Sequence, residues 1–273
     1  MKRLGHYAGI IFIMFWGLAP FYWMVITALR DKRFTFDTTP WPTHVTLENY
    51  RDALATDAGN DFLGAIFNSL IISLATTALA VAVGVFTAYA LARLDFRGKG
   101  FITGIILAAS MFPGIALVTP LFQLFGDLGW IGTYRAMIIP SISFALPLTI
   151  YTLVSFFQQL PWELEEAARV DGASRGQAFR LILLPLAAPA IFTTAILAFI
   201  TTWNEFMLAR QLSSTATEPV TVAIARFSGP SAFEYPYAAI MAAGSLVTIP
   251  LIIMVLVFQR RIVSGLTAGG VKG

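Results

Sequence analysis

The chain has 273 residues, a net charge of +3 and no cysteine, and 57% of it is hydrophobic against 12% charged. A soluble domain carries roughly 25% charged residues, so a mean hydropathy of +0.74 excludes a water-covered globule and points to helices in lipid. Without cysteine no disulfide framework, cysteine zinc site or thiol nucleophile can be built.

Six stretches free of Asp, Glu, Lys and Arg follow one another along the chain. They lie between Arg3 and Arg30, Asp61 and Arg93, Lys99 and Asp127, Arg135 and Glu163, Arg180 and Glu205, and Glu234 and Arg260. Each exceeds about 20 residues, enough at ~1.5 Å per residue to cross a hydrocarbon core of about 30 Å. The predicted fold class is therefore all-α, a membrane protein of six transmembrane helices near 8–29, 65–92, 101–124, 136–157, 183–205 and 237–258. A cleaved signal peptide is the competing reading of the first stretch, since Met1, Lys2 and Arg3 resemble a positive leader. That stretch is too long for the apolar part of a leader, and no small-x-small site follows Leu29, so a retained helix is expected. The chain shows no internal repeat and no low-complexity tract, and a single transmembrane domain over 1–273 is expected.

Basic residues set the orientation. With the N-terminus inside, Lys2, Arg3, Arg93, Arg97, Lys99, Arg169, Arg175, Arg180, Arg260, Arg261 and Lys272 are cytoplasmic. Arg30, Lys32, Arg33, Arg51, Arg135, Arg210 and Arg226 face out, a ratio of eleven to seven. The outer ones are diluted by acids, Asp31, Asp37, Glu48, Asp52, Asp57 and Asp61 sharing the first outer loop. Both termini are expected inside. Two outer segments, about 30–64 and 206–236, are substantial.

The missing chemistry narrows the function. His6 and His44 are the only histidines, and no HExxH helix, Ser/His/Asp set or metal-ligand cluster can be assembled. That argues against an intramembrane enzyme, and no catalytic or metal-binding residue is named. A secondary transporter normally carries ionisable groups within its helices. Here Glu205 sits only at the edge of the fifth span, where it reads as an interfacial carboxylate facing water. No Gly-x-x-x-x-Gly-Lys-Ser/Thr loop occurs; Gly98-Lys99-Gly100 lacks the first glycine, the preceding strand and the hydroxyl. Any ATPase that drives this chain is a separate polypeptide. Pro113, Gly114, Pro140, Pro147, Pro185, Pro189 and Pro250 punctuate the spans, compatible equally with a translocation path and with ordinary helix kinks.

One predicted cytoplasmic segment, Pro161 to Arg180, has the grammar of helix, turn, helix. Pro161 suits a first helical position, and Glu163, Glu165 and Glu166 favour the positive end of the helix dipole. Asp171-Gly172 closes that helix, with Gly172 free to turn left-handed, and Ser174 with Gln177 has capping-box spacing for the next. Leu164, Ala167, Ala168 and Val170 leave part of the first helix small and apolar, a rigid knob to press into another protein.

Glu166-Ala167-Ala168, three residues, Gly172, nine residues, then Ile182-Leu183-Leu184-Pro185 resembles the EAA loop of binding-protein-dependent ABC importer permeases, at every position of that pattern. Asn68-Ser69-Leu70, Ala88-Tyr89-Ala90-Leu91-Ala92-Arg93 and Trp203-Asn204-Glu205-Phe206 are similar to the carbohydrate-uptake branch. The tail from Phe258 to Leu266 and Gly270 to Gly273 is similar to its shorter, maltose-type subunit, of the trehalose/maltose-like group. The resemblance implies a type I importer fold and a partner set: a second permease, two ATPase subunits that bind ATP and Mg, and an extracytoplasmic solute-binding protein. Membrane lipid surrounds the chain, and no nucleic acid and no cofactor of its own are implied. It also implies coupling to the ATPase through Glu166, Ala167, Ala168, Arg169 and Gly172, in a loop of about 158–182. The tail of about 259–273 is either a second ATPase contact or a free glycine-rich end. The stretch 215–231 either probes the binding protein or merely connects. Import of a trehalose- or maltose-like sugar into the cytoplasm of a prokaryote is the implied activity. A proton- or sodium-driven transporter and a non-transporting membrane subunit are the alternatives. Trp16, Trp23 and Trp130 read first as interfacial anchors, and the sequence singles out no sugar-binding residue.

Overall fold

The computed structural model describes residues 2–55, 61–227 and 236–268, with side chains within 5–55, 61–227 and 236–259. These residues are helical throughout, apart from loops and an isolated bridge between Arg30 and Val45. Among the described residues five helices are long and apolar enough to cross a membrane, and a bent pair supplies a sixth crossing if it counts as one. The long helices are α1 (Lys2–Leu29), α3 (Phe62–Arg93), α6 (Tyr134–Gln159), α9 (Leu184–Trp203) and α12 (Tyr237–Ala268). Between them lie α2 (Glu48–Leu54), α4 (Lys99–Ser110), α5 (Val118–Asp127), α7 (Glu163–Val170), α8 (Arg175–Ala178), α10 (Met207–Leu212) and α11 (Val220–Ala225).

The third predicted span is the bent pair. α4 and the segment Gly114–Asp127 meet at 89°. Pro113 causes the break: it has no N–H, it disfavours helix at Phe112, and its own ψ of 113° is extended. Pro140, Pro147, Pro189 and Pro250 remain inside continuous helices. Pro185 acts at a distance. It cannot bond the carbonyl four residues back, and the turn Phe179–Leu183 before it widens to a π-helix, with the Leu184 N–H bonded to the Phe179 carbonyl. α8, this turn and α9 form one apolar helix, Arg175–Trp203.

The fold contains two compact units, Met1–Phe67 with Val220–Ile252, and Asn68–Pro219 with Ile253–Gly273. In the first, α1 leaves most of its surface open, Trp16 being 73% exposed. Arg30 at its end is buried, donating to the carbonyls of Asp37 and Thr39 and lying 5.0 Å from the Trp23 ring. Asn49 holds the same turn through the Ala28 and Arg30 carbonyls at 2.9 and 2.6 Å. Lys32 pairs with Asp52 at 2.6 Å and Arg33 with Asp31 at 3.0 Å, so the acids of this loop do offset its basic residues. The Arg33 hydrogen bonds lower the Asp31 carboxyl to about 2.

The second unit carries the larger core. α3, α6 and α9 meet through small residues: Ala88, Ala92, Ala187 and Ala190 are buried among Leu153, Phe157, Phe179 and Leu183. Lipid gives no hydrophobic drive for helix association, so close backbone approach supplies the packing. Gly84 shows how close: a Cβ there would lie 2.5 Å from the Thr149 methyl. Thr149, Thr193, Thr194 and Thr202 turn their hydroxyls back to carbonyls four residues earlier at 2.8 to 2.9 Å, which satisfies them without water.

Candidate functional site

α6 ends at Gln159, and Leu160 turns extended ahead of Pro161. Pro161 stands just before the helix rather than in it, and Trp162 is the N-cap of α7. The N–H groups of Glu165 and Glu166 bond the Trp162 carbonyl at 3.0 and 3.1 Å. At the other end the chain leaves in a Schellman turn: Ala173 N–H bonds the Ala168 carbonyl at 2.9 Å, and Gly172 N–H that of Arg169 at 3.1 Å. Gly172 has φ +90°, as the sequence predicts. The predicted capping box is also present, with Gln177 N–H to Ser174 Oγ at 3.3 Å and Ser174 N–H to Gln177 Oε1 at 2.8 Å.

These two stops fix how α7 presents itself. Glu163, Glu166, Ala167 and Val170 form an open stripe at helical spacing, with Val170 87% exposed. Arg169 and Gly172 are exposed beside it. Ala168 is not on that face: it is 5% exposed and packs inward, together with Glu165 at 7%. The structure thus brings Glu166, Ala167, Arg169 and Gly172 to one surface and uses Ala168 as the contact beneath them.

Beneath α7 lies a polar group that sequence reasoning missed. Tyr89 Oη donates to Glu165 Oε1 at 3.1 Å. Arg93 Nη2 donates to the Leu160 carbonyl at 2.5 Å, and its guanidinium lies 4.4 Å from the Trp162 ring centroid. The Tyr89 ring packs on Phe179 at 4.5 Å and Phe157 at 6.2 Å. Neither the charge of Arg93 nor its place in the Ala88–Arg93 stretch reveals these partners, and three neighbouring glutamates give no sign of which one turns inward.

A second cluster closes the other end of α3. Asn68 Nδ2 donates to the Ala216 and Glu218 carbonyls at 3.2 and 3.0 Å, while Tyr134 Oη donates to Asn68 Oδ1 at 2.5 Å. Thr217 and Ser214 hydroxyls bond the Gly132 carbonyl at 3.1 and 3.2 Å. Next to it Ser69, Ser73, Ser141, Thr202 and Glu205 line a small open pocket. Glu205 is not simply a water-facing carboxylate: it is half-buried and accepts the N–H groups of Leu208 and Ala209 at 2.9 and 3.0 Å, capping α10. Among the described residues no three His, Asp or Glu gather into a metal site. In the stretch 215–231, residues 228–231 lie outside the described residues, as do 269–273 of the tail.

Residues 80–267 match the family described as the binding-protein-dependent transport system inner membrane component. The trehalose transport system permease protein SugB of Mycobacterium tuberculosis is 48% identical over 94% of this chain and 93% of that protein. The trehalose/maltose transport system permease protein MalG of Thermococcus litoralis is 42% identical over 100% of this chain and 98% of that one. A chain in the crystal structure of a bacterial ABC transporter involved in the import of the acidic polysaccharide alginate shares 22% identity, with a TM-score of 0.76 over 95% of this chain and 96% of the other. That likeness carries the fold, and the sequence matches carry the family that the EAA loop resembles. The chain belongs to the binding-protein-dependent transport system inner membrane components, and is a multi-pass permease of the ABC importer type.

Proposed function

We propose that this chain is one of two permeases in an importer that passes an α-glucoside-type sugar, trehalose or maltose-like, from a solute-binding protein to the cytoplasm. The cargo is read from the two relatives, whose names specify trehalose and trehalose/maltose. Residues 1–273 act as a single permease domain beside the second permease, surrounded by lipid. Two ATPase subunits bind ATP and Mg, since this chain is a transport subunit with no ATPase domain. Both termini lie on the cytoplasmic side, which the distribution of Lys and Arg supports.

In this reading α7 docks in a cleft of one ATPase subunit. The observation that carries it is the stripe of Glu163, Glu166, Ala167 and Val170, open along one side of a helix whose other side is buried. Ala167 keeps the profile low, Glu166 and Arg169 supply charges for the cleft, Ala168 seats the helix and Gly172 aims it. ATP closes the nucleotide-binding pair, and the docked helix passes that closure to α6 and α9 on either side of it. Docking must differ in strength between the two states, because a contact equal in both transmits nothing. The loop of 158–182 is thus the coupling element.

Glu166→Lys tests this directly. Reversing the charge on the open face is expected to cut ATPase co-purification and uptake about tenfold, with membrane insertion unchanged. Normal uptake at normal membrane levels contradicts the docking role.

A further inference from the structure

Resting on the docking role of α7, we infer that Arg93, with Tyr89 and Glu165, is a clamp that fixes the coupling helix to the end of α3. A docked helix moves a membrane span only if the joint between them is stiff. The direct chain connection from α7 runs to α6 on one side and through the Gly172 turn to α8 and α9 on the other, with none to α3. The clamp supplies the missing joint. Arg93, the last residue of α3, reaches both parts of the corner at which α6 becomes α7. Its guanidinium bonds the Leu160 carbonyl, the C-cap of α6, and covers the Trp162 ring, the N-cap of α7. One turn earlier, Tyr89 holds Glu165 in the first turn of α7. Two residues at i and i+4 of α3 therefore grip the start of the coupling helix at three points. The hydroxyl bond and the planar guanidinium fix direction as well as distance.

The clamp is a poor device for stability alone. Arg93 and Glu165 are 5% and 7% exposed, yet Arg93 Nε and Nη1 and Glu165 Oε2 are buried with no hydrogen-bond partner among the described residues. Buried charges left partly unpaired cost free energy, and apolar residues of similar volume are often at least as stable. The Ala-rich packing of α3, α6 and α9 just beyond needs no charge at this corner. The arrangement makes sense as a positioning device: a guanidinium fork and a ring face hold α7 at one angle, which smooth aliphatic contacts do not.

The test uses the full transporter with its ATPase and binding protein in proteoliposomes. It measures ATP hydrolysed per sugar imported, with trehalose as the first probe and, if trehalose does not drive the unaltered complex, whichever α-glucoside does. Arg93→Gln is expected to raise that ratio about fivefold or more while the ATPase still co-purifies and the complex melts within a few degrees of the unaltered one. Arg93→Lys, which keeps the charge without the fork, recovers only part of the loss. A ratio unchanged in Arg93→Gln overturns the clamp, as does full recovery in Arg93→Lys. If Arg93→Gln fails to assemble, Tyr89→Phe carries the test by deleting only the hydroxyl. A ratio raised about twofold or more then supports the clamp, and an unchanged one overturns it. A single cysteine introduced as Ala167→Cys, in a chain that has none, reports docking separately by cross-linking to the ATPase. No cross-link in the otherwise unaltered chain removes the docking reading and the clamp with it, whereas a cross-link with an unchanged ratio removes the clamp alone.

Discussion

The two ends of α3 are secured by different chemistry. At the Asn68 end the bonds that grip the helix are between neutral groups, although the Glu218 carboxylate is buried beside them: one amide serves two carbonyls and a tyrosine hydroxyl, and two further hydroxyls serve Gly132. At the Arg93 end it is ionic and incomplete, with buried charged atoms left over and an open helix above them. Neutral networks whose bonds are made hold a shape cheaply. Charged groups that are only partly satisfied cost stability, and are worth keeping where a helix must be held at one angle against a load. On the proposed clamp, one end is built to stay folded and the other to transmit.

Three substitutions probe the difference between the two ends. Gly172→Pro has the largest expected effect. Proline fixes φ near −65° and removes the N–H that bonds Arg169, against an observed φ of +90°. The turn loses about 3 kcal/mol or more, a factor of roughly 100 in its population, and sugar uptake by membranes carrying the variant should fall accordingly without loss of insertion. Asn68→Ala comes next, at the other end. It leaves the Tyr134 hydroxyl and two carbonyls without their partner, at a cost of about 2 kcal/mol. The complex should melt several degrees lower in calorimetry, with ATP hydrolysed per sugar unchanged. A changed ratio there would erase the distinction between the ends. Ser174→Ala is the smallest, losing one cap at about 1 kcal/mol. Uptake should stay within about twofold, because the Schellman turn at Gly172 still aims α7.

Local chemistry was legible. Gly172, Ser174 and Gln177 act over three or four residues, so their types alone specify the turn and the capping box that the structure contains. Apolar length was legible as well, and placed the long helices within several residues, except that the last runs on to Ala268, ten residues past the expected end. Direction was not. Hydropathy counts composition, so the right-angle break at Pro113 looked no different from the prolines that α6, α9 and α12 absorb. Which proline bends a helix depends on what packs around it. Long-range pairing was equally hidden. Glu165 is the inward member of its trio, on the face it shares with Ala168, and the Tyr89 it meets there lies 76 positions away in the chain. Glu205 read as a surface acid because the short helix it caps, α10, has no signal strong enough to announce it.

On the proposed function this chain moves sugar through partners that supply energy and cargo. The most direct test is purification of the chain from its native membrane in mild detergent, with ATPase activity assayed on what accompanies it. Recovery of a second permease and an ATPase stimulated by one loaded binding protein is the predicted result, and the ligand of that binding protein names the sugar. A chain that emerges alone under several detergents, with no ATPase bound, contradicts a role as an importer permease.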